Sequence, residues 1–254
     1  MVLRMSGYHW LFAILLLAGC SHSDPADQHG GMVGADIADA ALDGGMPQTA
    51  INVTRSVLRS HPNDVGALLR QGAALTQMRQ PEAAMEAYRR VLAVEPATAA
   101  ALLGLGRLEL AHGDAADAER RFTSLLARTP DDTTALNDLG VALDLQGRHE
   151  AAQQVYGKLL QLAPGDRPAL VNLALSLSLS GQAGRSVELL SGPGSRPDAT
   201  PRVRQDLAVA LALSGNSRQA EKLRSLICRL VTRRRRWPGT RLLMRRRNDP
   251  NTHA

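Results

Sequence analysis

The chain has 254 residues, a formal net charge of +6, and 44% apolar but only 3% aromatic residues. Residues 229–254 hold nine arginines and one acid, a local charge of +8 that leaves −2 for the remainder, which excludes a uniformly basic body. Because Ala and Leu supply most of the apolar surface and no dense alternation of β-branched and aromatic residues occurs, the composition favours an all-helical protein over a sheet protein.

Residues 1–19 have the organisation of a secretory signal peptide. Arg4 provides the positive charge, and the apolar run that follows is about nine residues long, far short of the ~20 that a spanning helix needs. Leu17-Ala18-Gly19-Cys20 closes the run and resembles the bacterial lipobox, which implies cleavage before Cys20 and lipidation of that residue. An ordinary signal peptide with an accidental Cys20 is the alternative. Ser21, rather than an acid, implies by the same resemblance the periplasmic face of the outer membrane.

Residues 20–43 are rich in Gly, Asp, Ala and His with little periodicity. They predict a lipidated flexible tether, for which about 20 residues would span roughly 25 Å. His22 and His29 lack a partner at ligand spacing. We therefore expect no metal and no cofactor.

A 34-residue repeat is the strongest signal, marked by Pro62, Pro96, Pro130 and Pro164. Numbering columns from each unit start places small residues in columns 8 and 20 and bulky residues in column 24. The units start at Val65, Ala99, Thr133, Arg167 and Pro201. Column 8 holds Gly72, Gly106, Gly140, Ala174 and Ala208. Column 20 holds Ala84, Ala118, Ala152, Ser186 and Ala220. Column 24 holds Tyr88, Phe122, Tyr156, Leu190 and Arg224.

Each column has a physical cause. Small residues let the two helices of a hairpin approach closely, the bulky residue fills the space between hairpins, and proline ends the second helix. Column 34 offers N-cap residues for the next helix, and column 15 offers glycines for turns that need a positive φ. The N-cap residues are Asp64, Thr98, Asp132, Asp166 and Thr200. The turn glycines are Gly113, Gly147, Gly181 and Gly215.

These columns resemble the tetratricopeptide repeat (TPR), which implies an all-α TPR solenoid of helical hairpins in a right-handed superhelix. We predict a TPR domain over residues 44–232, with about five units and a partial N-terminal one whose first helix is weak or missing. The segment Ser191-Gly-Pro-Gly-Ser-Arg-Pro197 is expected to cut the second helix of the fourth unit short. The second helix of the fifth unit is expected to run to about Thr232.

On the TPR pattern, columns 2, 5, 9 and 12 of the first helices face a concave groove. The groove is mixed and rather apolar, which suits a peptide or helix of a protein partner. The predicted groove residues are Leu69, Ala73, Leu103, Arg107, Leu110, Asn137, Val141, Asp144, Val171, Leu175 and Ser178.

Catalysis is not expected, because the groups that could support it do not converge. The candidate histidines and acids fall at hairpin turns or unit junctions, far apart in a solenoid, and Asp132 is explained as a cap. The histidines are His61, His112 and His149, and the neighbouring acids are Asp64, Asp114 and Glu150.

Residues 233–254 predict an Arg-rich disordered tail. Attraction to anionic lipid is one reading of the arginines, and translation out of the ancestral frame beyond about Cys228 is another. No nucleic-acid partner is expected for an exported protein.

Three stretches, residues 136–147, 171–181 and 202–215, resemble the TadD lipoproteins of the tight-adherence (Flp/Tad) pilus system when taken with the lipobox. That resemblance implies an outer-membrane-anchored periplasmic scaffold that helps the pilus secretin assemble or localise. The alternatives are a pilotin-like TPR lipoprotein of another pilus or secretion system, and an activator of a periplasmic cell-wall enzyme.

Overall fold

A computed structural model describes residues 25–196 and 198–225. Within that part of the chain the regular structure is helical, with no strand. The helices are α1 (Pro25–Asp43), α2 (Pro47–Ser60), α3 (Val65–Gln77), α4 (Pro81–Val94), α5 (Ala99–His112), α6 (Ala115–Leu126), α7 (Thr133–Leu145), α8 (His149–Leu162), α9 (Arg167–Leu179), α10 (Ala183–Ser195) and α11 (Pro201–Leu213). A further helical segment occupies residues 217–225.

The helices pair in chain order as antiparallel hairpins, and each hairpin packs on the next. The odd-numbered helices, which we call first helices, also contact one another directly from unit to unit, whereas successive second helices make fewer contacts. A stack that is tighter along one edge curves toward that edge. The first helices therefore line the concave side, and the predicted helical solenoid is confirmed.

The predicted N-caps are confirmed at four of the five positions. Asp64, Asp132, Asp166 and Thr200 accept a hydrogen bond from the backbone N–H three residues ahead, at 2.6, 2.9, 2.8 and 3.3 Å. Thr98 stands at the same place, but its hydroxyl donates to the Glu95 carboxylate at 3.1 Å and makes no cap bond. Each of the four cap bonds satisfies one of the free backbone amides at the start of its helix.

The turns between the two helices of a unit use a left-handed residue, as predicted for column 15. Gly113, Gly147, Gly181 and Gly215 have φ values between 72° and 99°. In the α3–α4 turn the same conformation falls on Arg79, with φ 56°.

Residues 25–43 differ from the predicted flexible tether, because they form α1 and complete a sixth hairpin with α2. Ala38 and Ala41 are buried and pack with Ala50 and Ile51. Glycine costs about 1 kcal/mol per residue in a helix interior, but packing of a hairpin on its neighbour stabilises helices more than propensity does. The prediction of a weak or missing first helix is therefore wrong.

The second helix of the fourth unit is also longer than predicted. α10 continues through Pro193 to Ser195 and is as long as α9. Gly194 lies against Leu207 so closely that an added Cβ would stand 2.7 Å from its Cδ2 atom. This close packing on α11 holds the last turn in helix despite the proline.

The predicted signal peptide, Cys20, the end of the fifth unit near Thr232 and the Arg-rich tail lie outside the described residues.

Candidate protein-binding face

The face built by the first helices carries a row of polar side chains that we call the polar ladder, formed by Arg107, Asp138, Asn137 and Asn172. The Arg107 Nε atom donates to Asp138 Oδ2 at 2.6 Å, and the Asn137 Nδ2 atom donates to Asp138 Oδ1 at 3.1 Å. The Asn172 amide then donates to the Asn137 side-chain oxygen at 2.9 Å. These bonds join α5, α7 and α9, so the polar ladder ties three successive units together.

A similar bond joins the first two units. Arg70 on α3 makes a bidentate ion pair with Asp39 on α1, with distances of 2.8 and 2.7 Å. Asp39 raises the pKa of the Arg70 guanidinium above its ordinary value by accepting these bonds, partly offset by burial. Two donors in a fork hold the relative orientation of both helices better than a single contact would.

Asp144 lies in a buried cluster between α7, α8 and α9. Its Oδ1 atom accepts from Ser176 Oγ at 2.6 Å and from His149 Nδ1 at 2.9 Å. The pKa of the nearby Tyr156 phenol is raised strongly, first by burial and then by the Asp144 carboxylate. The cluster holds Ser, His and Asp, but the serine hydroxyl and the imidazole both bond to the carboxylate. The contact of the serine hydroxyl with His149 is to the backbone oxygen and not to the imidazole. Since a serine nucleophile needs a bond to its base, this arrangement is structural.

Several predicted groove residues have accessible side chains on the first-helix face. Arg107 and Leu175 are exposed, and the others of this group are partly exposed. The partly exposed ones are Leu69, Ala73, Leu103, Leu110, Asn137 and Val141.

Three predicted groove residues are instead taken up by packing. Val171 and Ser178 are buried, and the Ser178 hydroxyl donates to the Ala174 carbonyl at 3.0 Å. Only 14% of the Asp144 side chain is exposed, because it is turned into the cluster with Ser176. The expectation that Val171 and Ser178 line an open groove is therefore wrong, whereas Asp144 remains partly exposed.

A second set of residues on this face was not predicted, apart from Leu175. Large apolar side chains of α7, α9 and α11 are 41–62% exposed and together form what we call the apolar stripe. The apolar stripe consists of Leu145, Leu175, Leu179, Val209 and Leu213. They occupy columns 9 and 13, which are four residues apart and share one side of a helix. Leucine recurs in column 13 at positions 145, 179 and 213, a signal that the 34-residue period already contained.

The described residues include no group of three or more His, Cys, Asp and Glu side chains placed to hold a metal ion. A separate result concerns membranes: none of the helices within the described ranges combines the length and apolar character that crossing a bilayer requires.

Comparison with known structures returns helical repeat proteins. The chain is similar to PilW, described as a widely conserved type IV pilus biogenesis factor, with 18% identity and a TM-score of 0.71 over 87% of this chain and 100% of that one. It is similar to PilF of Pseudomonas aeruginosa, with 17% identity and a TM-score of 0.66 over 81% and 93% of the two chains. It is also similar to a tetratricopeptide repeat protein from Parabacteroides merdae, with 16% identity and a TM-score of 0.70 over 77% of each chain. These likenesses show the fold.

A comparison with curated protein sequences gave no significant match. The family model for the tetratricopeptide repeat matches residues 35–93, 74–119 and 103–167. The matched ranges together span just over half of the chain and include the C-terminal part of α1 and all of α2. With five further hairpins that keep the same columns, the chain belongs to the tetratricopeptide repeat family and is a protein-interaction scaffold.

Proposed function

We propose that the protein is a periplasmic scaffold, anchored to the outer membrane through a lipid on Cys20, whose concave face binds a segment of a pilus secretin of the Flp/Tad type. The observation that carries the binding role is the apolar stripe. Five large apolar side chains stand exposed on three adjacent first helices. Because they occupy the same two columns of these helices, we infer that they form one patch, and an exposed apolar patch marks a binding site.

The polar ladder supports the same role by making the face rigid. Bonds between α5, α7 and α9 fix the spacing of the first helices, so the apolar stripe is pre-organised. A pre-organised surface loses less conformational entropy when a partner binds. The partner segment that fits this surface is an amphipathic helix with apolar side chains every second turn, or an extended peptide with apolar side chains at every second residue.

The pilus assignment rests on the resemblance of residues 136–147, 171–181 and 202–215 to TadD and on the lipobox ending at Cys20. PilW shows that a stack of this kind serves type IV pilus biogenesis in another chain. Anchoring would confine the scaffold and its partner to one surface, so a modest intrinsic affinity suffices because the effective concentration is high.

The anchoring proposal is tested by Cys20→Ala. We expect loss of radiolabelled palmitate, release from the outer-membrane fraction and loss of surface pili. Normal pili on cells whose Cys20→Ala protein is fully soluble would contradict the anchoring role.

The binding proposal is tested by Leu179→Asp on the apolar stripe. Its side chain is 56% exposed, so the substitution leaves the core intact while placing a charge where the partner's apolar side chains would pack. We expect at least tenfold weaker binding to tiled peptides from the secretin of the same locus, measured by fluorescence anisotropy. Leu162→Asp, on the second helix α8 with 44% exposure, is the matched control and should bind normally. Equal affinities of both variants would show that the apolar stripe is not the binding surface.

A further inference from the structure

The hairpin α1–α2 repeats the columns of the other units with one exception. Ala38 falls in column 8, Gly45 in column 15 with φ 67°, and Ala50 in column 20. Ala38 and Ala50 are fully buried, as the small residues of the later units are. Column 24, which carries Tyr88 in the next unit, here carries Thr54. The first unit therefore lacks the ring that packs between hairpins in the three units that follow it.

The ring in the next unit packs tightly in the junction between two hairpins. Tyr88 lies against Gly72 in its own unit and Gly104 in the following unit. A Cβ added to Gly72 or Gly104 would stand 2.7 or 2.6 Å from the ring. The Tyr88 ring thus packs between its own hairpin and the first helix of the next, and Thr54 carries no ring to pack in the corresponding space.

A cavity of about 240 Å³ lies at this first junction. Its accessible walls include Gly34 and Ala35 from α1, Val53 and Val57 from α2, and Gly66 from α3. We call this cavity the ring pocket. An apolar cavity of roughly 150 Å³ is large enough for benzene, so the ring pocket has room for an aromatic side chain.

The polar groups around the ring pocket already have partners. The Thr54 hydroxyl donates to the Ala50 and Ile51 carbonyls at 2.9 and 3.1 Å. Asp64 caps α3 and Arg70 is held by Asp39. No charge in the wall therefore requires a charged ligand, while the fixed Arg70 guanidinium can stack on the face of a ring.

We propose that the ring pocket is a binding site for one aromatic side chain, Phe, Tyr or Trp, presented by an exposed segment of a protein partner. The ligand class follows from the architecture, because the same place in three later units is occupied by Tyr88, Phe122 and Tyr156. The partner's aromatic ring would take the place in the first unit that Tyr88, Phe122 and Tyr156 take in their own units. The ring pocket lies on α1–α3, away from the apolar stripe on α7–α11, so it acts whether or not the partner is a pilus secretin.

The test uses the full-length mature protein with methyl-labelled valine and N-acetylphenylalanine amide as the probe. We expect saturable shifts of the Val53 and Val57 methyl signals, with the methyl signals of Val155 and Val209 unchanged. Thr54→Phe places a phenyl ring of the chain itself in the ring pocket, so the probe can no longer enter, and the substitution should weaken probe binding at least tenfold. Thr54→Val is the matched control, because it removes only the hydroxyl, and should bind the probe like the wild type.

A second variant protects the test against misfolding of Thr54→Phe. A Cβ at Gly34 would stand 3.6 and 3.7 Å from the Val57 and Val53 methyl groups, an ordinary contact, so Gly34→Leu adds a side chain to the wall without a clash at its root. It should also weaken probe binding at least tenfold. Probe shifts that survive in a folded Gly34→Leu variant would overturn the proposal. Contacts between the Val53 and Val57 methyl groups and a ring of the chain itself, seen without the probe, would overturn it as well.

Discussion

Gly106→Ala is the sharpest test of how the units pack, because it adds a single methyl group in column 8 of a unit whose column 24 carries a ring, and the three units with such a ring all have glycine in column 8. Gly106 lies on α5, and an added Cβ would be 2.7 Å from both the Cε1 and Cζ atoms of Phe122. Favourable contacts between carbon atoms lie at about 3.5–4.0 Å. Phe122 is fully buried, so its ring can move away only by displacing the residues that enclose it.

Two opposing free energies decide the outcome. Overpacking a core costs about 1–3 kcal/mol, and replacing glycine by alanine in a helix interior gains about 1 kcal/mol. Because the overlap is with a rigid, enclosed ring, we take the upper half of the overpacking range. The free energy of unfolding should fall by roughly 1–2 kcal/mol, and the midpoint temperature by about 2–4 °C for each of those kcal/mol.

Urea unfolding followed by circular dichroism at fixed pH measures this change. Gly157→Ala is the matched control, because Gly157 is also inside a helix but has no neighbouring atom within 4 Å of an added Cβ; it should raise the free energy of unfolding by about 0.5–1 kcal/mol. In a Phe122→Leu background the cost of Gly106→Ala should shrink or reverse. A Gly106→Ala variant as stable as Gly157→Ala would refute the claim that column 8 is small because of the ring.

Three further predictions concern caps and titration. Asp166→Ala removes the bond to the Ala169 amide and should cost about 1 kcal/mol in urea unfolding; no loss would mean that water replaces the cap fully. Thr98→Asn supplies the side-chain acceptor that α5 lacks and should raise the free energy of unfolding by up to about 1 kcal/mol, whereas the same change at Thr123, an exposed position inside α6, should not. Burial and the Asp144 carboxylate raise the pKa of Tyr156, so the folded state keeps this proton at a pH where the unfolded chain ionises. Stability should therefore fall as the pH rises above about 10, and Tyr156→Phe should reduce the slope of that loss measured by urea unfolding at pH 8 and pH 11.

Much of the fold follows from column chemistry that is local. Asp64, Asp132 and Asp166 were predicted as caps because a carboxylate at the start of a helix finds its amide within the same turn. Thr98 departs from this pattern because a second acceptor, the Glu95 carboxylate, lies as close along the chain. The identity of residue 98 alone therefore does not predict whether its hydroxyl bonds to the helix amide or to the Glu95 carboxylate.

The errors in the prediction come from packing between units. α1 is glycine-rich, and its helical state depends on the contacts of Ala38 and Ala41 with α2, which propensity does not register. α10 passes through Pro193 because Gly194 packs tightly on Leu207 of the next unit. In both cases a contact formed across a hairpin or unit boundary outweighs the intrinsic preference of the segment.

The binding face was predicted in outline but not residue by residue. The columns identify the side of the helix correctly, but the concave face also contains bonds between neighbouring first helices. The Asp144 side chain is turned away from the groove by its hydrogen bonds with Ser176 and His149, which lie 32 and 5 residues further along the chain. Leu145 and Leu179 could have been found, because column 13 repeats as regularly as column 8.

Because each hairpin of the described stack packs mainly on its neighbours, residues 25–225 have no central core that must form or dissolve as one body. An interior hairpin is covered on two sides and a terminal hairpin on one, so opening should begin at the outermost units and move inward. Amide hydrogen exchange should accordingly be slowest in α5–α8 and faster toward either end of the described stack. Loss of a whole 34-residue unit would also be tolerated better than loss of a few residues within one, since only the former leaves every surviving hairpin with a matching surface.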